Sequence, residues 1–561
     1  MRIKSYNLVR GLLNLRDVCY FMIFIAGFLA FTIIRIKSGT ESISWFKKAQ
    51  RYVIVVAIAF GIGYITKSPY VNLYFDATRN EILTITPHSQ EILAKMNEDD
   101  LEITGFSNLF NGYGRWGRTN ENYIITSIWE PFIRFKHNIK FNFVNYYNLD
   151  SSDYHFKVDT GKTLVQLAKK EAKTYRVGLD EFLSPEQVSG MVDIRKEENR
   201  SFFLLKYKGR TAIVRTFDDP QYWPSEKEIA PALNSLINPP PRVGFLCDEI
   251  ERGPFSERVR DYKFMCHELG FRKSLINAGF CFDTFSLHQK EVPAGLAALV
   301  IADPRTPIAG ESLVKIKNYI DTGGNVYIMT EPDRKEITKP LLDMLGLSLR
   351  DGLLIQSSNK YSSDVIFASM TDTARNISPQ TARDTKRDIK FEGDRILRVA
   401  MSGANAIDYK EKDGFRVTPF LETVSDVSWN RRAPIGDDSL QMKVEKKPDD
   451  EYGSFATAIR MTRTIHGKEQ QILVSGDADF MTTRCIFGWD PRRYNLSYIY
   501  WSMGVFSHGE FPTTTMLPEG PDNGFTVTVH TIPPQKLIFY WIIPALIGIG
   551  ASILLIRRKR K

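Results

Sequence analysis

The chain has 561 residues, 43% of them hydrophobic and 25% charged, with a net charge of +9. That length excludes a single ordinary domain and leaves room for two soluble domains plus membrane segments. The basic excess is not a nucleic-acid footprint, because it sits at the two ends: residues 1–67 carry ten Lys/Arg against two acids, residues 536–561 carry six and no acid, and the middle is net acidic. Five scattered cysteines show no Cys-x-x-Cys and no metal-ligand spacing, so buried free thiols are expected, with one disulfide left open for an extracytoplasmic domain.

Two apolar stretches open the chain, Val18 to Ile34 and Tyr52 to Thr66, each flanked by Lys or Arg that can snorkel to the interface. Both read as transmembrane, and residues 1–67 form an anchor. Residues 68–238 form a first α/β domain. Thr86-Pro87 starts a helix at His88. Leu101 to Phe106 and Ile139 to Val144 alternate as strands, Tyr123 to Phe135 and Thr163 to Ala172 read as helices, and a hairpin turns about Lys208-Gly209. This order predicts a thioredoxin-like domain, closed by a helix over 229–237 and a stiff Pro239–Pro241 hinge.

Residues 242–535 form the second domain. Arg242 to Cys247, Ala297 to Ala302, Asn325 to Met329 and Gln471 to Ser475 are buried strands, and a helix between Glu311 and Ile320 is stopped by Asp321-Thr-Gly-Gly324. Apolar strands alternating with helices predict an open parallel sheet, flavodoxin-like or glutamine-amidotransferase-like. A polar insertion occupies about 350–450, a helix follows at Leu496 to Met503, and Phe525 to Val529 is a last strand. Leu537 to Ile556 is the third span, with Tyr540 and Trp541 as an interfacial belt and a pentabasic tail behind it. The tail and the 36–51 loop are expected in the cytoplasm, which puts both α/β domains, and the N-terminus, outside.

Asp248, Asp303 and Asp477 each follow a strand, and strand carboxyl ends gather on one edge, where open α/β sheets bind ligands. The three are candidates for a cation or solute site; the alternative is that each caps a helix or turn. No catalytic, cofactor or metal residues are expected. Asp159-Thr-Gly-Lys-Thr163 lacks the earlier glycine of a phosphate loop, where Phe156 stands, and reads as a helix start. Cys247 sits at a strand end without the flanking glycines of a nucleophile elbow. Cys266 and His267 are adjacent and point to different helix faces.

The segment Phe75-Asp76…Thr78…Leu83-Thr84-Ile85-Thr86-Pro87 after a span, Asp303-Pro304, Tyr319-Ile-Asp-Thr-Gly-Gly324, Thr423…Ser428-Trp429 and Gly476-Asp-Ala-Asp-Phe480 together resemble GldG-like proteins. Those are membrane-anchored auxiliary components of gliding-motility ABC exporters. Asn7 to Phe21 resembles the last helix of the type-two ABC permeases to which such components are fused. Where many members carry a Gly-His-Gly-Glu-like turn, this chain reads Cys247-Asp-Glu-Ile-Glu-Arg-Gly253, a departure from the family's pattern at that turn. The resemblance implies a non-catalytic subunit in a bacterial inner membrane. Its implied partners are an ABC permease, a separate ATPase, lipid, and envelope proteins or exported cargo. A membrane-tethered amidotransferase-like hydrolase and a tethered solute or glycan receptor are the rival classes.

Overall fold

The computed structural model describes residues 10–66, 71, 73–97, 99–393, 397–432, 444–488, 494–515 and 530–559. The strand expected at Phe525 to Val529, and residues 1–9 of the permease-like stretch, lie outside them.

Three helices are long and apolar enough to cross a membrane: α1 (Leu15–Thr40), α2 (Trp45–Ile65) and a C-terminal helix, Ile532–Lys559. All three expected spans are present, and each helix runs beyond its apolar stretch into flanking polar residues. Their large side chains, such as Phe28, Phe60 and Leu554, are exposed, as a lipid-facing surface requires. Asn14 caps α1, its side chain accepting from the Arg16 N–H at 3.0 Å. A short strand before α1, β1 (Leu12–Asn14), pairs antiparallel with one after α2, β2 (Tyr74–Asp76). The two ends of the α1–α2 hairpin are thus tied on one side.

The first domain carries a four-stranded sheet: β3 (Leu101–Asn108), β4 (Ile139–Tyr146), β5 (Phe202–Tyr207) and β6 (Arg210–Arg215), in the order β4-β3-β5-β6. β3 and β4 are parallel; the other neighbours are antiparallel. Lys208 and Gly209 both take positive φ, 47° and 78°, the pattern a tight two-residue hairpin needs. The helix α3 (Pro87–Lys95) begins at the Thr86 cap, one residue before the expected start. Asp159–Thr163 is a helix start: Thr163 forms a capping box with Gln166 at the head of α4 (Leu164–Tyr175), and Asp159 holds Lys162 at 2.7 Å. The sheet is covered by α5 (Glu226–Ile237) and by the helical run containing Ile124, Ile128, Trp129 and Phe132, all buried.

The second domain is built on one nine-stranded sheet. Five strands are parallel: β7 (Arg242–Leu246), β8 (Cys281–Phe285), β9 (Ala298–Ala302), β10 (Val326–Met329) and, later in the chain, β19 (Lys468–Ser475), in the order β8-β7-β9-β10-β19. Successive residues face opposite sides, so Val326 and Ile328 join one core while Tyr327 and Met329 join the other. On the Val326 side lies α6 (Gly310–Asp321), ended by Gly323 at φ +98°.

The expected open parallel sheet is present as this five-stranded half, and the insertion extends it into a mixed sheet. The remaining strands of the sheet are antiparallel: β13 (Val365–Met370), β14 (Arg398–Ser402), β16 (Arg416–Glu422) and β18 (Ala456–Ile465). β18 pairs with β19 through a turn at His466-Gly467, and the order runs on as β18-β16-β13-β14, with β14 at the edge. The 350–450 stretch therefore supplies three of the nine strands, with α8 (Pro379–Glu392) between β13 and β14. The cysteines are also corrected: Cys266 and Cys485 are buried, but Cys247 and Cys281 are exposed, and all five are free.

Candidate functional site

Because β7, β9, β10 and β19 are parallel neighbours, the residues just past them line one edge. Asp303 follows β9 directly, Glu331 stands two residues beyond β10, and Asp477 two beyond β19. The loop after β7 brings in Arg252, whose N–H donates to the Ala302 carbonyl at 2.9 Å. Its guanidinium, only 4% exposed, is the centre of the edge. Nε donates to Asp303 Oδ2 at 3.0 Å, Nη2 to Glu331 Oε1 at 2.7 Å, and Nη1 to Asp479 Oδ1 and, at 3.2 Å, to the Ala478 carbonyl. A second guanidinium, Arg260, donates to the same Asp303 oxygen at 3.0 Å. Asp303 adopts φ +50°, a conformation Asp tolerates better than most residues, and this turns its side chain into the cluster.

Asp477 is fully buried, its two oxygens accepting from the N–H groups of Asp479 at 3.0 Å and Phe480 at 2.9 Å. Gly476 before it fits only as glycine, since a Cβ there would lie 2.2 Å from the Asn405 carbonyl oxygen. Burial, reinforced by Asp477 and Asp479, pushes the Glu331 carboxyl far up, and burial with Asp479 does the same to Asp477. Arg252 and Arg260 face this carboxylate cluster and supply the compensation that buried charges require.

Carboxylate oxygens of Glu331, Asp477 and Asp479 lie within 4.8 Å of one another, close enough to share a cation. The donor set does not fit one: the Arg252 guanidinium already occupies both Glu331 and Asp479. The strand order reverses between β7 and β9, the place where open α/β sheets leave a ligand crevice. Here Arg252 and its partners fill that crevice. The edge is a pin that locks four strand ends and two loops together.

The structure thus brings together two of the three sequence candidates, Asp303 and Asp477. Asp248 goes elsewhere: its carboxylate accepts from the Leu287 N–H at 2.6 Å and faces His288 Nδ1 at 3.8 Å, joining the ends of β7 and β8. Sequence reasoning missed Arg252, Arg260, Glu331 and Asp479. The Cys247 thiol donates to the Phe285 carbonyl at 3.2 Å, and desolvation with Asp248 and Glu251 pushes its pKa up, away from nucleophile chemistry. Cys266 is raised by burial, and His267, lowered by burial, stacks edge-on against Phe255 at 5.0 Å.

Fold and edge together define an α/β protein bracketed by membrane-type helices, with a plugged strand-end crevice. Residues 240–498 match the model of a family described as "ABC-type uncharacterized transport system". The match supports an auxiliary component of an ABC transport system. It begins two residues before β7 and ends inside α9 (Asn495–Gly504), so it covers both halves of the nine-stranded sheet. No curated protein matches the sequence. Among solved structures, the mmIFT52 N-terminal domain is 10% identical, with a TM-score of 0.32 over 48% of this chain and 98% of that one. A ThuA-like protein from Parabacteroides merdae ATCC 43184 is 8% identical, with a TM-score of 0.26 over 48% and 91%. Scores this low carry no conclusion about fold or function.

Proposed function

We propose that the chain is a non-catalytic, GldG-like auxiliary subunit of an ABC exporter. In this reading its three helices dock beside permease helices in a bacterial inner membrane, and its two α/β domains stand outside and contact cargo or envelope proteins. A separate ATPase supplies the energy. The observation that carries the reading is the bracketing of a transport-family domain, residues 240–498, by apolar helices at both ends. The β1–β2 pairing supports placing the N-terminus on the same side as the α/β domains. Arg557, Arg558 and Lys559 at the end of the last helix support a cytoplasmic C-terminus.

The order β4-β3-β5-β6, parallel only at β3–β4, supports the thioredoxin-like reading of the first domain. The order β8-β7-β9-β10-β19 is the 2-1-3-4-5 arrangement and supports a flavodoxin-like parallel half in the second. The raised Cys247 thiol and the Arg252 plug both weigh against the amidotransferase-like alternative.

Protease added to intact spheroplasts tests the topology. The α/β bulk is digested and a C-terminal tag is spared; a protected bulk with a digested tag overturns the proposal.

A further inference from the structure

A second concave site lies far from the arginine pin. A cleft of about 930 Å³ opens between α5 of the first domain, α8, α9 and the β18–β19 ladder. That volume falls within the roughly 300–1,000 Å³ typical of small-molecule sites.

The charges lining it are unevenly matched. Its four carboxylates are engaged by three arginines: Glu228 by Arg272 at 2.8 Å, Asp384 and Asp388 by the one Arg387 at 3.3 and 3.0 Å, Glu469 by Arg460 at 3.6 Å. Three cations remain, Lys227, Lys273 and Arg383, and among the described residues none has a hydrogen-bond or ion-pair partner. Partial desolvation and the neighbouring Lys227 charge lower the Lys273 ammonium below the usual lysine range, while Lys227 also lies within electrostatic reach of Asp384. The N-terminal turn of α8, Ser378 to Thr381, lines the same cleft, and helix N-termini favour anions. Six Lys and Arg side chains line the cleft against four carboxylates, an excess of positive charge that suits an anion.

The rest of the lining is aromatic. Trp501, half-buried in the same lining, is braced by Tyr494, with ring centroids 5.1 Å apart. A flat aromatic face next to side-chain amides and paired Arg/Asp groups suits a pyranose ring, whose C–H face packs on the indole while its hydroxyls meet the polar rim.

We propose that this cleft binds an anionic sugar, its carboxylate or phosphate held by Lys227, Lys273 and Arg383 and a ring stacked on Trp501. The site stands apart from the exporter reading: recovery of partners tests that reading, and ligand titration tests this one. The experiment is calorimetric titration of the full chain in detergent micelles with trigalacturonate, glucose 6-phosphate, neutral maltotriose and inorganic phosphate. At least one charged sugar binds saturably, at least tenfold tighter than maltotriose or phosphate. Lys227→Ala with Lys273→Ala weakens it tenfold or more, as does the same pair changed to Gln, and both variants keep the wild-type thermal midpoint because the two lysines are exposed. Trp501→Ala weakens the sugars and leaves phosphate unchanged. Failure of both charged sugars to bind, binding indifferent to the lysine variants, or phosphate binding as tightly as the sugars overturns the proposal.

Discussion

Replacing Arg252 with Ala removes the centre of the strand-end pin. The guanidinium donates five hydrogen bonds, three to carboxylates and two to backbone carbonyls. Breaking a buried ion pair from one side costs about 3–5 kcal/mol. Three features of the site place this case near the lower end. Asp303 keeps Arg260, the Glu331 carboxyl, pushed far up by burial, can take up a proton, and the Asp479 side chain is 33% exposed and can rehydrate. The expected loss is therefore about 3 kcal/mol. Arg252→Lys keeps the charge but cannot reach three carboxylates as a planar fork, and loses about 1–2 kcal/mol. Urea unfolding of the full chain in detergent, followed by near-UV circular dichroism, reads both. A loss below about 1 kcal/mol for Arg252→Ala would place the pin among solvent-screened surface pairs and refute the reasoning.

Four further outcomes rest on named residues. Burial raises the Glu331 carboxyl, so folding takes up a proton above the unfolded value of 4.5, and stability falls as pH rises past that point; Glu331→Gln flattens the fall in a pH series of urea midpoints. Glu251, pushed up to about 7 by burial, adds the same sign between pH 4.5 and about 7, and Glu251→Gln removes only that part. Gly476→Ala drives a Cβ into the Asn405 carbonyl and lowers stability by about 3 kcal/mol or more, whereas Gly467→Ala, with nothing within 4 Å but φ +74°, costs about 1 kcal/mol; equal losses would contradict the geometry. Asp76 accepts from the N–H groups of Thr78 and Leu83, both at 3.0 Å, and from the Thr84 hydroxyl at 2.8 Å, so Asp76→Ala frees the membrane-proximal loop and speeds limited proteolysis within 77–86.

What could be read from the sequence divides by burial pattern. Ala298–Ala302 and Val326–Met329 are buried on both faces, so their unbroken apolar runs announce parallel strands. Ala456–Ile465 is buried at its start and meets solvent later, and its Arg460, Thr462, Arg463 and Thr464 interrupt the run that would have marked it. The same applies to the edge strand Cys281–Phe285, whose exposed Cys281 and Thr284 hide the pattern. The candidate site divides in the same way. Asp303 and Asp477 abut recognisable strands, and parallel topology alone brings them together. Arg252 lies in an irregular loop with no period to place it, and its role exists only once β7, β9, β10 and β19 are adjacent. Asp248 obeyed the same strand-end rule, but the parallel edge strand β8 drew it to Leu287 and His288 instead.

The most direct test of the exporter assignment is affinity purification of the full chain from its own membranes in mild detergent, with every co-purifying protein identified and quantified. The account predicts a nucleotide-binding ATPase and a multi-spanning permease in near-stoichiometric amounts, with ATP hydrolysis in the recovered complex but not in this chain alone. A chain recovered without either partner, under conditions that keep other membrane complexes whole, would contradict it.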